Sequence, residues 1–377
     1  MAKSLRMVIA GGGTGGHVQP AIAVYQRMKA STDVDALWIG SHNGVEQPAA
    51  NRSGIVFTPI QTGKFRRYLS LRTPIDLLRI PIGVVQAVRA LQRFHPDVVL
   101  STGGFVSVPT IVAARLLRIP SLTHEQTATI GLATRINARF ASVVALSFEQ
   151  SRRQLNASHA RVIVTGNPIR ATLFDGSACE ALRSFGLSID LPLVYVTGGA
   201  LGAHAINDAI RNALPDLVSI TQIVHQCGAA SGNGDFPRLI EARAALPTKL
   251  QSRYVVCERI GDELADLYAA ASLVVGRAGA GTVAELAALG KPSILIPLPG
   301  TGGDEQTVNA RILADAGAAI LLPQTELTSA RLLAEIRALL GSDRLPELRQ
   351  AALSCGQYDA DERLASEILA LAGQPVR

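Results

Sequence analysis

Met7-Val8-Ile9-Ala10-Gly11-Gly12-Gly13-Thr14-Gly15-Gly16-His17 carries an apolar run straight into a glycine-rich turn, after which a helix is expected to begin near Pro20. A short buried strand, a tight turn and a helix make one βα unit. Outward from this stretch the unit repeats. Further apolar runs predict strands at 36–39, 98–100, 121–123, 143–146 and 162–164, with helical patterns between them. The turn cluster Thr165-Gly166-Asn167-Pro168 interrupts the series, which restarts at 193–197, 222–226, 254–257, 273–276, 293–296 and 318–322. Strands alternating with helices predict parallel sheets, here in two α/β halves, and residues 345–371 read as helical with a break at Gly356.

Gly11, Gly13 and Gly16 match the G-x-G-x-x-G spacing of a dinucleotide-binding turn. In such a turn glycine lets the backbone approach an anion, and the helix N-terminus favours negative charge. The fingerprint also needs an acid at the end of the second strand to hold a ribose hydroxyl. Trp38-Ile39-Gly40-Ser41 offers none, which argues against an NAD-dependent oxidoreductase. No Lys-Ser/Thr pair follows, so the loop is not a Walker A turn, and a plain βα turn without ligand satisfies the same pattern. Two further glycine turns follow strands, Thr102-Gly103-Gly104-Phe105 and Thr197-Gly198-Gly199-Ala200-Leu201-Gly202-Ala203. Ligands of open α/β sheets bind beyond the C-terminal ends of the strands, where all three turns stand.

The 377 residues are 48% hydrophobic and 18% charged, a folded chain long enough for about two domains. Cys179, Cys227, Cys257 and Cys355 are widely spaced, with no CxxC or Cys/His cluster for zinc, and read as reduced structural thiols. The apolar run at 7–10 is too short for a signal-peptide core, and no uncharged apolar stretch reaches the ~18 residues of a membrane span. The net charge of +6 is unevenly shared. Residues 1–165 hold 19 basic against 7 acidic residues, a net of +12, and the remainder hold 17 against 23, a net of −6. A basic half fits nucleic acid, anionic lipid or a diphosphate, and charge alone does not choose among them.

The most informative stretch is Gly276-Arg277-Ala278-Gly279-Ala280-Gly281-Thr282-Val283-Ala284-Glu285, followed by Gly290-Lys291-Pro292 and by Asp304-Glu305-Gln306-Thr307-Val308-Asn309-Ala310. Taken with GGGTGGH at 11–17, STGGF at 101–105, HEQ at 124–126, TGNPIR at 165–170 and TGGALGA at 197–203, it closely resembles the MurG family of glycosyltransferase family 28. The likeness runs in order from Gly11 to about Leu322.

The resemblance implies a GT-B fold, two Rossmann-like doubly wound parallel-sheet domains facing a cleft. It implies an acceptor-binding, membrane-facing domain at 1–165, a domain for UDP-N-acetylglucosamine at 166–345, and a helical segment at 346–377 that packs back across the domains. It implies inverting transfer of N-acetylglucosamine to the 4-hydroxyl of undecaprenyl-diphospho-N-acetylmuramyl-pentapeptide (lipid I), giving lipid II and UDP in peptidoglycan synthesis. Another GT-B UDP-sugar enzyme, such as an epimerase or a glycolipid glycosyltransferase, is the alternative, as is a lipid-binding protein without catalysis. No cofactor, metal or nucleic acid is expected, and other cell-wall synthesis proteins are expected partners.

By the same resemblance, Thr14, Gly15, Gly16, Thr127, Arg170, Ala200, Ile260, Gly261, Gln306 and the run Ala280, Gly281, Thr282, Val283, Ala284, Glu285 meet the donor. The helix start favours the diphosphate, Glu285 accepts from ribose hydroxyls, and Arg170 suits forked hydrogen bonding to phosphate. Gly12, Gly13, Gly103 and Gly104 are expected at the acceptor diphosphate. His17 or Glu125 is the general base, since an imidazole titrating near neutrality can take the acceptor proton; a purely structural role for His17, closing the loop, stands beside that reading. Two positions depart from the family: Ala200-Leu201 stands where Ser-Gln is usual, and Thr127 where Asn is usual. Ala200 can reach the diphosphate only through its backbone.

Seven basic residues lie between Lys64 and Arg93 against the single acid Asp76, interleaved with apolar side chains. Such a mixture favours an anionic membrane surface, with Phe65, Arg66, Arg67, Tyr68 and Arg72 as the best candidates for contact on the cytoplasmic side of the membrane. Pro81 and Gly83 are expected to prevent one long straight helix there, and Leu78, Ile82 and Val85 to face the core in part.

Overall fold

The computed structural model describes residues 4–63, 73–155, 160–229, 234–301 and 303–374. Contacts divide the chain into two compact units, Met1–Arg170 with Tyr358–Arg377, and Ala171–Gln357. The division follows Arg170, five residues past the expected one, because the Thr165–Arg170 turn contacts unit 1.

Unit 1 alternates strand and helix: β1 (Leu5–Gly11), α1 (Gly15–Ser31), β2 (Val34–Ser41), α2 (Glu46–Arg52), β3 (Val56–Ile60), α3 (Thr73–Phe94), β4 (Val98–Gly103), α4 (Val108–Leu116), β5 (Ser121–Glu125), α5 (Leu132–Asn137), β6 (Val143–Leu146) and β7 (Arg161–Val164). Unit 2 runs α6 (Ala178–Phe185), β8 (Leu193–Thr197), α7 (His204–Ile220), β9 (Gln222–Gln226), α8 (Asp235–Ala244), α9 (Thr248–Gln251), β10 (Tyr254–Cys257), α10 (Leu264–Ala270), β11 (Leu273–Gly276), α11 (Ala280–Ala288), β12 (Ser293–Leu295), α12 (Glu305–Asp315), β13 (Ala319–Leu321), α13 (Ser329–Leu340) and α14 (Arg344–Cys355). The last helix, α15 (Ala360–Leu371), returns to unit 1.

The strand orders are β3-β2-β1-β4-β5-β6-β7 and β10-β9-β8-β11-β12-β13, parallel throughout. Parallel strands are covered on both faces, so their centres are apolar without alternation, as in the fully buried Val98, Val99 and Leu100 of β4. The order reverses between β1 and β4 in unit 1 and between β8 and β11 in unit 2. At such a switch point the loops leaving the strand ends diverge and leave room for a ligand.

Two helices differ from the sequence expectation. α1 begins at Gly15 rather than near Pro20, with Pro20 inside it, so His17 stands in its first turn. α3 is one helix of 22 residues that continues through Pro81 and Gly83. A proline removes one intrahelical bond and bends a helix without necessarily ending it. Nor do Ile82 and Val85 face the core, since both are about half exposed, while Ala87, Ala90 and Leu91 pack under the sheet.

The segment 346–377, expected to be helical and to pack back across the domains, is divided between the two units. α14 belongs to unit 2, placing Leu348 and Ala352 in its cores, whereas α15 sets Leu364, Ala365 and Ile368 into the core that holds β1 and α1. Arg27 of α1 lies 2.6 Å from Glu362, and Arg161 pairs with Glu367.

Candidate active site

Both glycine turns of unit 1 stand at its switch point, where Gly11 pairs with Gly103. The turns touch so closely that a Cβ on Gly104, which has φ +76°, would stand 2.5 Å from the Gly12 carbonyl oxygen. Trp38 Nε1 donates to the Gly11 carbonyl at 3.0 Å and Thr102 Oγ1 to that of His17 at 2.7 Å, fixing the loop at both ends.

His17 is half-buried, its ring packed against Gly103 and Gly104. Its Nδ1 lies 3.0 Å from the Gly12 carbonyl oxygen and 3.0 Å from Thr14 Oγ1. A carbonyl only accepts, so Nδ1 carries the hydrogen and Nε2 keeps its lone pair. Burial lowers the His17 pKa below 6.5, against the carboxylates of Glu125 and Glu46 and the Gly12 bond, which raise it. The ring is therefore neutral at pH 7, with its basic nitrogen on the side of Gly103.

Glu125, the rival base, ends β5 almost fully buried. Its Oε1 accepts from the Thr127 N–H (3.2 Å) and hydroxyl (2.8 Å), and its Oε2 from the Gly131 N–H (3.1 Å). Both oxygens thus hold their own loop in place, and the Thr127 hydroxyl is occupied within that loop rather than turned outward. The neighbours in the HEQ motif are also structural. His124 Nε2 donates to the Gly166 carbonyl at 2.8 Å, and Gln126 Nε2 to that of Thr102 at 2.8 Å. Burial first, opposed by the Gly166 bond, lowers the His124 pKa to about 4, so this histidine stays neutral.

Gly15 and Gly16 are exposed in the first turn of α1, whose N–H groups lack intrahelical acceptors and face anions favourably. The N–H of Gly13 is engaged, donating to Glu46 Oε2 at 3.1 Å. Arg170 has no hydrogen-bond partner for its buried Nε, nor has Asn167 for either amide atom, among the described residues. Phe65, Arg66, Arg67, Tyr68 and Arg72 lie outside the described residues.

In unit 2 the switch point lies between the Thr197 turn and the start of α11. α11 has Gly279 as N-cap, no side-chain cap and no acid in its first turn, so its N-terminal dipole is free for an anion. The side chains of Ala280 and Val283 point into the core, leaving Gly281, Thr282, Ala284 and Glu285 partly open. Glu285 Oε2 accepts from the hydroxyl of buried Tyr268 at 2.9 Å, and Tyr268 stacks edge-on against Tyr195. Gln306 Oε1 accepts from the Leu298 N–H at 2.9 Å, which points its amide donors elsewhere. Ala200 is exposed beside Leu201, which is 84% exposed. Ile260 packs on the core, and the Gly261 N–H donates to Glu263 Oε2 at 3.2 Å. Glu46 and Tyr268, outside the quoted motifs, and Thr102, inside one but given no role there, hydrogen-bond to Gly13, Glu285 and His17.

Residues 7–146 match the Glycosyltransferase family 28 N-terminal domain and 193–364 the Glycosyltransferase family 28 C-terminal domain. The chain is 36% identical over 335 residues, 89% of it and 90% of the relative, to the UDP-N-acetylglucosamine--N-acetylmuramyl-(pentapeptide) pyrophosphoryl-undecaprenol N-acetylglucosamine transferase of Lachnospira eligens. The crystal structure of Acinetobacter baumannii MurG superposes with a TM-score of 0.73 at 29% identity, covering 97% of this chain and 99% of that one. A UDP-N-acetylglucosamine 2-epimerase structure superposes at 0.66 with 17% identity over 99% of both chains, a likeness of fold alone. With matches to both halves and a relative of this identity along nearly its whole length, the chain belongs to glycosyltransferase family 28, and its two parallel-sheet units are those of the GT-B fold.

Proposed function

We propose that the protein transfers N-acetylglucosamine from UDP-N-acetylglucosamine to the 4-hydroxyl of lipid I, with inversion, giving lipid II and UDP. The family match in both halves carries this reading, and the tautomer of His17 supports the mechanism. The acceptor oxygen attacks the anomeric carbon and its proton passes to His17 Nε2. The bond from that carbon to the diphosphate oxygen breaks, and UDP leaves with the electron pair. Charge on the leaving diphosphate is met by the N-terminus of α11 and by Arg170, whose guanidinium suits phosphate oxygens.

Glu285, steadied by Tyr268, accepts from the ribose hydroxyls. Gln306 offers its amide hydrogens to the sugar, and Ala200 contributes its N–H. Gly12, Gly103 and Gly104 line the acceptor diphosphate, while Gly15 and Gly16 approach the donor. In this reading Glu125 orders its loop and its charge supports protonation of His17.

The protein works at the cytoplasmic face of the membrane without crossing it. No helix among the described residues is long and apolar enough to span a bilayer. Ile82, Val85, Arg89 and Arg93 of α3 are exposed together, continuing the basic and apolar character of residues 64–72.

Incubation with labelled UDP-N-acetylglucosamine and a short-chain lipid I analogue tests the reaction. Label is expected in the acceptor; none there, with an authentic enzyme active in the same mixture, overturns the reading.

A further inference from the structure

Glu46 is fully buried at the start of α2, a place where a carboxylate needs a reason. Its Oε1 accepts from the Ser41 N–H at 2.8 Å and the Ser41 hydroxyl at 2.6 Å, and its Oε2 from the Gly13 N–H at 3.1 Å. The space it fills is made by missing side chains. A Cβ on Gly12 would stand 2.3 Å from its Cδ and one on Gly44 2.2 Å from its Oε1, while one on Gly40 would meet the Phe57 ring at 2.6 Å and the Glu46 Cγ at 2.8 Å. Three segments, the end of β2, the turn before α2 and the loop after β1, thus close around one carboxylate.

We propose that Glu46 is the positioning residue of the first glycine turn, gripping Gly13 so that the Gly12 carbonyl orients the His17 ring and its basic nitrogen. The inference rests on the transferase reading for its kinetic arm. It goes beyond that reading in two ways. The Gly13 N–H is withdrawn from the acceptor diphosphate, leaving the anion to the neighbouring N–H groups. The charge of Glu46 also acts on His17 together with that of Glu125 at the end of β5, so that the imidazole stays basic enough for proton transfer despite its burial.

Two variants separate position from charge. Glu46→Gln keeps the size but loses the charge and puts an amide donor where Gly13 or Ser41 needs an acceptor. Glu46→Asp keeps the charge but falls one methylene short of Gly13. The His17 pKa is read by NMR of the imidazole, without turnover, and kcat and donor KM by the transfer assay. Glu46→Gln is expected to lower the His17 pKa. Both variants are expected to lower kcat about tenfold or more, with donor KM held within about twofold. In Glu46→Asp the His17 pKa stays near the wild-type value. Wild-type kcat in either folded variant overturns the proposal, as does an unchanged His17 pKa in Glu46→Gln. If Glu46→Gln does not fold, Glu46→Asp still decides the positional claim through kcat. Wild-type protein that transfers no sugar would remove the transferase reading alone, because the imidazole titration tests the action of the Glu46 charge on His17 without substrate.

Discussion

His17 is where the reaction can be tested most directly. Its Nδ1 is held by the Gly12 carbonyl, so replacement removes the base and a fastening of the loop together. His17→Ala is expected to lower kcat by about 10²–10⁴ while donor KM changes little, since a general base contributes on that order in the transition state. A kcat within a few-fold of wild type would pass the role to Glu125. The pH profile has a definite sign. A base works in its neutral form, and burial sets the His17 pKa below 6.5, so kcat/KM should rise through an acid limb below that value and be level at pH 7. A limb centred above 6.5 would contradict the assignment. Motifs singled out His17, Arg170 and Glu285 as candidates, since each stands in a distinctive string. Glu46 was not legible, because Gly12 and Gly44 lie in separate segments and only the fold reveals that both make room for one carboxylate. The missing acid after Trp38-Ile39-Gly40-Ser41 was read correctly as a departure from dinucleotide binding. The acid that follows five residues later is turned inward, onto Ser41 and Gly13.

Among the elements, each strand read from an apolar run is a strand in the structure, within three residues of its expected ends. Among the described residues the one passed over is β3, Val56–Ile60, which carries Pro59 and buries only Ile60 fully. It forms the edge of its sheet, where a missing N–H costs least, and so a central-strand pattern could not find it. That the C-terminal helical segment packs back across the domains was expected from the family resemblance and not from its own residues. Its apolar spacing predicts a helix, but an amphipathic helix does not name the surface it covers. Its placement has a measurable consequence. Ile368 is fully buried in the cluster that contains Trp38, the chain's single tryptophan, which is itself fully buried. Ile368→Ala should destabilise unit 1 by about 2–5 kcal/mol through lost burial and the cavity left behind. Denaturant unfolding followed by tryptophan fluorescence reads this directly. An unchanged midpoint would mean that α15 is not part of the unit 1 core in solution.

At the scale of the whole molecule, the charge division between +12 in residues 1–165 and −6 in the rest fits the proposed function, in which the basic half would meet a lipid-linked diphosphate and an anionic surface. Two sources of positive potential must be kept apart, the glycine turns at the switch point and the basic segment from Lys64 to Arg93. Replacing Arg66, Arg67 and Arg72 by Ser removes charge from the second and leaves the first untouched. Each cation near an anionic bilayer contributes about 1 kcal/mol, so three together should weaken binding to phosphatidylserine-containing vesicles by roughly 10²-fold in low salt. The difference between variant and wild type should shrink as salt is raised to about 1 M, where the Debye length falls to about 3 Å. Donor KM should not change, because UDP-N-acetylglucosamine is water-soluble and makes no use of that surface. Undiminished vesicle binding at low salt would refute the role of these three arginines, and a raised donor KM would place them at the sugar-nucleotide site rather than on the membrane.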